Sequence, residues 1–172
     1  MEFYMQNQCR YMELLLRLLL LGDLLFLDAI WKVLAKFGVL SIGYPGDYNY
    51  REFYRDIGYD LDYEYIKPYI AHNGVRVNTG IKYYRITGKD CEKDYYDVQW
   101  AKDSVERQAG HFFDCRNAQI ENLSSYMKVP PIITCPYDAE LYGHWWYEGP
   151  YWLYILFKKI YYNDCNFELI TQ

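Results

Sequence analysis

The sequence lacks an excess of positive charge. Its 172 residues include 18 Lys and Arg against 23 Asp and Glu, which gives a formal net charge of −5 at pH 7. Nucleic acids and anionic membrane surfaces are bound mainly by clustered cationic side chains. The charge balance argues against both kinds of partner, so we expect neither a nucleic acid nor a membrane to be bound.

Paired cysteine motifs are also missing. The five cysteines are odd in number, and no CxxC spacing occurs among them. Disulfide frameworks and zinc sites both need cysteines at close, repeated spacings. The sequence therefore predicts no metal site, and nothing else in it indicates a cofactor. Free thiols of this kind are typical of a reducing environment, which favours a cytoplasmic location.

No apolar run is long enough to cross a membrane. The segment 14–27 is nearly all leucine, but Arg17 and Asp23 interrupt it, and a spanning helix needs about 20 predominantly apolar residues. A secretory signal is not indicated, because the basic start and the small-residue cleavage site are missing. An amphipathic helix is predicted instead, with apolar residues at spacings of three and four: Leu24, Leu27, Ile30, Trp31, Leu34 and Phe37.

Tyrosine, by contrast, is abundant. The chain has 22 tyrosines, many of them in adjacent pairs such as Tyr83 and Tyr84. Tyrosine-rich clefts bind sugars, but a genome rich in A and T would produce the same bias. The composition leaves both explanations open and favours the second.

The first half of the chain after residue 42 is predicted to contain turns and short strands. A tight turn is expected at 43–47, where glycine and proline alternate with polar residues, and a helical turn at 51–57. Residues 75–77 and 81–86 are β-branched or alternating and are bounded by glycines, so strands or a hairpin are expected there. A long helix is predicted over 97–127, with a bend at Gly110.

The second half is predicted to alternate helices and strands. Two prolines end the long helix, and the β-branched segment 132–135 favours a short buried strand. A helix begins at Gly149 and Pro150, and its body at 151–162 is apolar on nearly every side, so it should be buried. A last strand is expected at 167–171. This order predicts an α/β fold with parallel strands, although two clear strands are too few to close a barrel.

Chemistry-bearing side chains follow the strand predicted at 132–135. Asp138 comes directly after that strand. In parallel α/β architectures the carboxyl ends of the strands usually hold the functional groups. Asp138 could therefore point into a cleft, or it could cap a turn. Position alone leaves both roles open.

The residues after Asp138 extend this candidate site. Glu140 could orient Asp138 or bind a substrate hydroxyl, or be simply solvated. His144 could donate to a substrate oxygen or be structural. Trp145 and Trp146 offer flat faces for sugar rings, although adjacent tryptophans often lie in a core. Glu148 precedes a predicted helix start, where it would complement the helix dipole.

The segment 136–150, PYDAELYGHWWYEGP, resembles the fourth signature region of glycoside hydrolase family 57, in its α-1,4-glucan branching enzyme branch. The resemblance continues through GYPGDYNYREFYRDIGYDLDYEYIKPYI at 43–70, TGIKYYRITGK at 79–89 and FELIT at 167–171. It implies that residues 43–172 are the C-terminal portion of the catalytic domain, which is a distorted, TIM-like (β/α)7 barrel. It also implies an α-glucan substrate and a role in glycogen-like or starch-like metabolism.

The resemblance further implies a retaining mechanism in which Asp138 is the general acid/base. A retaining enzyme places a second carboxylate about 5–5.5 Å from the acid. An aspartate with an ordinary pKa of about 3.9 is ionised at neutral pH, so burial beside aromatic rings and a nearby nucleophile would have to raise it. In branching, a glucan 6-hydroxyl takes the place of water, and water exclusion decides between transfer and hydrolysis.

Half of that catalytic pair is missing from the sequence. The family nucleophile is a glutamate in a motif similar to WLPE, and neither this motif nor the family's histidine-rich opening strand occurs here. The chain alone is therefore not expected to turn over glucan. The alternatives are an α-amylase or 4-α-glucanotransferase of the same family, a non-catalytic α-glucan-binding fragment, or a non-functional relic. The oligomeric state is left open.

Residues 1–42 differ in character from the rest. Members of the resembled family carry a segment similar to FGRDxESSKQVWS before GYPGD, where this chain has FLDAIWKVLAKFGVL at 26–40. In the neighbouring reading frame, codons for 27–39 can encode Gly-Arg-Asp-Met-Glu-Ser followed by Ser-Ser-Gln-Val-Trp-Ser. The glutamate is fixed, because tryptophan has a single codon. We hypothesise that residues 1–42 are a frame-shifted, non-native apolar helix outside the family domain.

Overall fold

The computed structural model of the protein describes residues 43–70, 74–88, 91–133, 135 and 137–170. The leucine-rich segment 1–42, with its predicted amphipathic helix and proposed frame shift, lies outside the described residues. None of the helices in the described part has the length and apolar character that a membrane crossing requires.

Helices provide the regular structure of the described residues. There are four α-helices and two short 3-10 helices: α1 (Ile57–Asp60), α2 (Tyr63–Ile70), α3 (Val98–Ser124), α4 (Gly149–Tyr162), and the 3-10 helices Tyr44–Gly46 and Ala139–Leu141. Helices α3 and α4 pack against each other and carry most of the core. Helices α1 and α2 contact each other.

Helix α3 confirms the long helix predicted over 97–127. It begins after Asp97, whose Oδ1 accepts hydrogen bonds from the backbone N–H groups of Gln99 and Trp100 at 2.7 and 2.9 Å. Such a cap satisfies backbone donors that have no partner within the helix. Residues spaced three or four apart face the core and are buried: Ala101, Val105, Ala109, Phe112 and Ile120.

Helix α4 begins where it was predicted, with Pro150 in its first turn. Its buried face consists of Gly149, Trp152, Ile155 and Leu156. The expectation that it is buried on nearly every side is wrong, because the side chains outside this face are partly or largely exposed. The exposed apolar and aromatic residues of α4 are Tyr154, Phe157, Tyr161 and Tyr162.

The predicted strands do not form a sheet within the described residues. The only β pairing there consists of isolated bridges: Arg51 with Arg85 and Tyr84 with Tyr95, both antiparallel, and Tyr142 with Trp146, parallel. The described residues of the strands predicted at 132–135 and 167–171 have no regular structure, and Thr134 and Thr171 lie outside the description. A strand needs a hydrogen-bonded neighbour, and the described part supplies none. The expected parallel α/β pairing is therefore not observed.

The segment 51–60 also differs from the prediction. Its helix begins at Ile57 rather than spanning 51–57, and Arg51 takes part in a bridge instead. Asp56 caps α1 and binds a distant turn: Oδ1 accepts from Gly58 N and Thr79 N, both at 2.9 Å, and Oδ2 accepts from Gly80 N at 2.8 Å. One buried carboxylate thus holds α1 against residues 79–80.

The segment 43–50, which contains the turn predicted at 43–47, docks on α3 through polar contacts. Gln108 donates from Nε2 to Asp47 Oδ2 at 2.7 Å and accepts from the Tyr50 hydroxyl through Oε1. The Tyr44 hydroxyl and His111 Nδ1 are 2.6 Å apart. Tyr50 is fully buried, so this segment forms one wall of the core, next to the segment that carries the candidate site.

Candidate active site

Asp138 lies at the protein surface and caps a short helix. It is the N-cap of the 3-10 helix Ala139–Leu141, and its Oδ1 accepts a hydrogen bond from Glu140 N at 3.1 Å. The residue is solvent-exposed. The capping role proposed from sequence is therefore observed, while the exposed carboxylate remains accessible to a ligand. The aromatic burial expected around it is not present in the described part of the chain.

A tight loop after this helix places Trp145 and Trp146 in different environments. Leu141 is buried and anchors the loop, and Gly143 adopts φ 101°, which favours glycine. Gly143 N donates to Trp146 O and Trp146 N donates to Leu141 O, both at 2.9 Å. The loop leaves His144 exposed and Trp145 partly exposed, whereas Trp146 is buried.

His144 and Trp145 meet a third ring from another segment. The Trp145 ring lies 4.5 Å from the Phe53 ring between centroids, at a tilt of 36°. His144 packs edge-on against both, with centroids 5.6 Å from Phe53 and 5.1 Å from Trp145. We call Phe53, His144 and Trp145 the surface aromatic cluster. Glu140 borders it, because its Oε2 accepts from Trp145 Nε1 at 3.4 Å.

Trp146 takes the core position that sequence left open. It is 2% exposed, and its ring lies 5.6 Å from that of Tyr50 and 5.8 Å from that of Trp152. Aromatic side chains in such contacts stabilise a core through their large buried area. Trp146 therefore has no open face for a sugar ring in this structure, and its contacts support the loop that presents Trp145.

Phe53 was not identified from sequence. Lys82 fixes its backbone by donating from Nζ to Phe53 O and, at 2.7 Å, to Arg55 O. The same ammonium lies 5.4 Å from the centroid of the Phe53 ring, within the range of a cation–π contact. Phe53 and Trp145 are far apart in the chain, so no local pattern could have revealed their contact.

Glu148 is a buried carboxylate, which corrects its expected role at the helix start. It occupies the N-cap position of α4 but makes no capping hydrogen bond with its side chain. It is 5% exposed, and its Oε1 accepts from Arg51 N at 3.1 Å. Burial raises the pKa of Glu148, against the opposing effects of the Arg51 backbone and the Tyr96 hydroxyl. It ties the segment around Arg51 to the start of α4.

The described residues do not bring three His, Cys, Asp or Glu side chains together in a group able to hold a metal ion. What they do bring together is an exposed carboxylate, a second carboxylate two residues away, and a three-ring cluster with exposed edges. Carboxylates with adjacent aromatic faces are suited to binding and protonating a sugar.

A scan against models of known protein families finds no match. Individual proteins do match. The chain is 34% identical over 122 residues to the 1,4-alpha-glucan branching enzyme TK1436 of Thermococcus kodakarensis, an alignment that covers 69% of this chain and 15% of that protein. The crystal structure of TK1436, described as a GH57 branching enzyme in complex with glucose, matches with a TM-score of 0.53 and 33% identity over 70% of this chain and 19% of that one. The chain belongs to glycoside hydrolase family 57.

Other relatives extend this family assignment. A probable 1,4-alpha-glucan branching enzyme of Mycobacterium tuberculosis is 32% identical over 114 residues, covering 64% of this chain and 18% of that protein. The alpha-amylase AmyC of Thermotoga maritima matches in structure with a TM-score of 0.71 and 45% identity over 78% of this chain and 26% of that one. This family 57 chain thus spans about a quarter or less of the length of these relatives.

Proposed function

We propose that this chain supplies the proton-donor portion of a family 57 catalytic domain that branches α-1,4-glucan. The observation that carries the proposal is the exposed Asp138 carboxylate, which accepts a hydrogen bond from Glu140 N, while the Glu140 side chain accepts one from Trp145 of the surface aromatic cluster. Similarity to branching enzymes over about 70% of this chain supports it. In this proposal residues 43–172 are a portion of a TIM-like barrel, with glycogen-like glucan as substrate.

Asp138 is assigned the general acid/base role. It protonates the glycosidic oxygen as the bond breaks, while a second carboxylate about 5–5.5 Å away attacks the anomeric carbon. That glutamate is not in this sequence, so it comes from the rest of the domain. Because Asp138 is exposed here, the rest of the domain and the bound glucan must also supply the desolvation that favours its protonated form.

The neighbouring side chains are assigned to substrate binding. Trp145 and Phe53 provide faces and edges against which a glucose ring stacks. His144 and Glu140 offer hydrogen bonds to sugar hydroxyls. Trp146 supports this surface from the core and does not contact the glucan. A cytoplasmic location belongs to the same proposal and is supported by the free cysteines of the described residues.

A chimera tests the assignment of Asp138. Residues 43–170 of this chain replace the matching segment of TK1436, and new α-1,6 linkages are measured on amylose. Asp138→Asn is expected to lower the rate about 10²–10⁴-fold, as is typical when a general acid is lost. The matched control is Asp62→Asn in the same chimera, since Asp62 is also an exposed capping aspartate. An active chimera in which Asp138→Asn changes nothing would contradict the proposal.

Hydrolysis of the α-amylase type is the second candidate. It is favoured by AmyC, which matches with higher identity and a higher TM-score than TK1436. The two reactions differ in the acceptor, since water in place of a glucan hydroxyl releases a reducing end. A chimera that releases reducing sugar without forming α-1,6 linkages would favour this second candidate.

A further inference from the structure

A large apolar groove lies between α3, α4 and the described non-helical residues 130–133, 135, 137 and 165–170. Its volume is about 1180 Å³, which exceeds the roughly 300–1,000 Å³ typical of small-molecule pockets. Most of its lining is aliphatic or aromatic, including Ile120, Ile133, Leu153, Leu156, Phe157 and Ile160. We call this the α3/α4 groove. Its size favours a stretch of polypeptide over a small ligand.

A buried cation lies within this apolar lining. Arg116 on α3 is 8% exposed, and its Nε and Nη1 have no hydrogen-bond partner among the residues that the structure describes. Its guanidinium is 5.0 Å from the centroid of the Phe112 ring, a contact that offsets only part of its desolvation. Glu168 also lines the groove, yet no ion pair joins it or any other described carboxylate to Arg116.

A buried guanidinium with two unpaired nitrogens is destabilising, since it has lost part of its hydration without gaining an anion among the described residues. Its donors are suited to a carboxylate, which a guanidinium binds with two parallel hydrogen bonds. The groove therefore requires an occupant that is largely apolar and carries one negative charge. A strand with a single acidic residue on its buried face has this chemistry.

The rim of the groove also exposes apolar side chains to solvent. Ile132, Phe157, Leu169 and Ile170 are each at least half exposed, and exposed apolar patches mark interaction surfaces. The described residues of 130–133 and 165–170 take part in no β-bridge. Such segments can accept a neighbouring strand through their backbone groups.

We propose that the α3/α4 groove is filled by an apolar strand from a part of the family 57 catalytic domain that lies outside this sequence, and that a carboxylate on this strand pairs with Arg116. The inference rests on the proposed function, because that function assigns the chain to a larger domain. The alignment with only 15% of TK1436 leaves ample chain to provide the strand.

The proposal predicts that one substitution has opposite effects in two settings. Arg116→Met in the chain alone removes an unpaired buried charge, so the melting temperature should rise by roughly 2–4 °C. In the TK1436 chimera the same change would leave the partner carboxylate buried and unpaired, so the melting temperature should fall by at least as much. Melting is followed by circular dichroism at 222 nm.

Two matched variants accompany the measurement. Arg107→Met changes an exposed arginine on the same helix, whose only described ion pair is with Asp47, and should shift both melting temperatures little. Arg116→Lys keeps the charge but not the guanidinium, so it should lower the melting temperature of the chimera in part. A fall in the melting temperature of the chain alone with Arg116→Met would overturn the proposal, since Arg116 would then be satisfied within the chain. A chimera whose melting temperature does not change with Arg116→Met would overturn the proposal too.

Decanoate tests the rival occupant, an apolar ligand with one carboxylate. If decanoate stabilises the chain but not Arg116→Met, and the chimera is insensitive to that substitution, the groove binds a small anion and the proposal is wrong. Failure of the proposed function would appear in the activity assay, as a chimera that stays active after Asp138→Asn. The stability and activity readouts therefore distinguish the two failures.

Discussion

Two buried carboxylates show how hydrogen bonding decides the charge state of a single residue. Asp56 and Glu148 are 2% and 5% exposed. Burial tends to raise the pKa of each, but Asp56 accepts bonds from Thr79, Gly58 and Gly80, which together hold its pKa below the ordinary value. Glu148 has weaker support from Arg51 and Tyr96, so burial prevails and its pKa is raised.

The raised pKa of Glu148 gives a pH dependence of stability with a definite sign. The folded state binds this proton more tightly than the unfolded chain, whose glutamate titrates near the ordinary value of 4.5. Protonation of Glu148 therefore stabilises the fold fully below about pH 4.5, and this contribution is lost as pH rises through the folded-state pKa. Glu148→Gln should remove this trend between pH 4 and 8.

Urea unfolding at several pH values measures the effect as the difference in unfolding free energy between the wild type and Glu148→Gln. Because Asp56 and other carboxylates are common to both proteins, the difference isolates Glu148. A difference that does not vary with pH, or that grows in favour of the wild type at high pH, would contradict the assignment.

At the residue scale the sequence identified Asp138 as both a capping and a candidate catalytic residue, and the structure shows the capping bond. Its catalytic role stays a prediction. The sequence placed Glu148 at a helix start, which is correct, but its burial depends on Arg51 and Tyr96. Those neighbours are distant in the chain, so no local pattern could predict it.

At the scale of elements, the surface aromatic cluster joins two segments. The loop at 141–146 presents His144 and Trp145, and the segment around Phe53 is held by Lys82. A preformed arrangement lowers the ordering cost of stacking a sugar ring on an aromatic face. The cluster is therefore expected to bind glucan weakly even in the chain alone.

Trp145→Ala and Phe53→Ala are each expected to weaken maltoheptaose binding by about fivefold, since the loss of an aromatic contact is worth about 1 kcal/mol. Titration calorimetry or tryptophan fluorescence measures the affinity. Trp100→Ala is the matched control, because Trp100 is an exposed tryptophan on α3 that is not part of the cluster. Equal losses for all three variants would argue against the cluster as a glucan site.

The elements themselves were predicted with uneven success. Helices α3 and α4 were found because their caps, prolines and apolar spacing are local signals. The strands at 132–135 and 167–171 were predicted from the same kind of signal but do not pair in the described part of the chain. A helix satisfies its own backbone, whereas a strand depends on a neighbour.

At the scale of the whole molecule, much large apolar surface is exposed. Beyond the rim of the α3/α4 groove, exposed aromatic residues include Tyr154, Tyr161 and Tyr162 on α4. A chain that exposes such a surface reduces it by association. We expect the isolated 20.8 kDa chain to sediment above its monomer mass at micromolar concentration.

Sedimentation velocity measures this association, which added sulfate should strengthen because sulfate favours apolar burial. Phe157→Asp, on the exposed face of α4, should weaken it, whereas Val98→Asp, at the exposed start of α3, should not. A chain that stays monomeric at all concentrations in sulfate would contradict this expectation.

The hypothesis of a frame shift in residues 1–42 stays a prediction, which sequencing the gene checks.

The sequence by itself determined the family, the two long helices and the position of Asp138 at the end of a predicted strand, because motifs, caps and apolar spacing are local in the chain. Only the tertiary structure decided that Trp145 meets Phe53 at the surface while Trp146 enters the core. It also decided that Arg116 lies buried in an apolar groove, without an ion pair to any described carboxylate. Burial and pairing depend on which distant segments come together in space, and local spacing does not encode that.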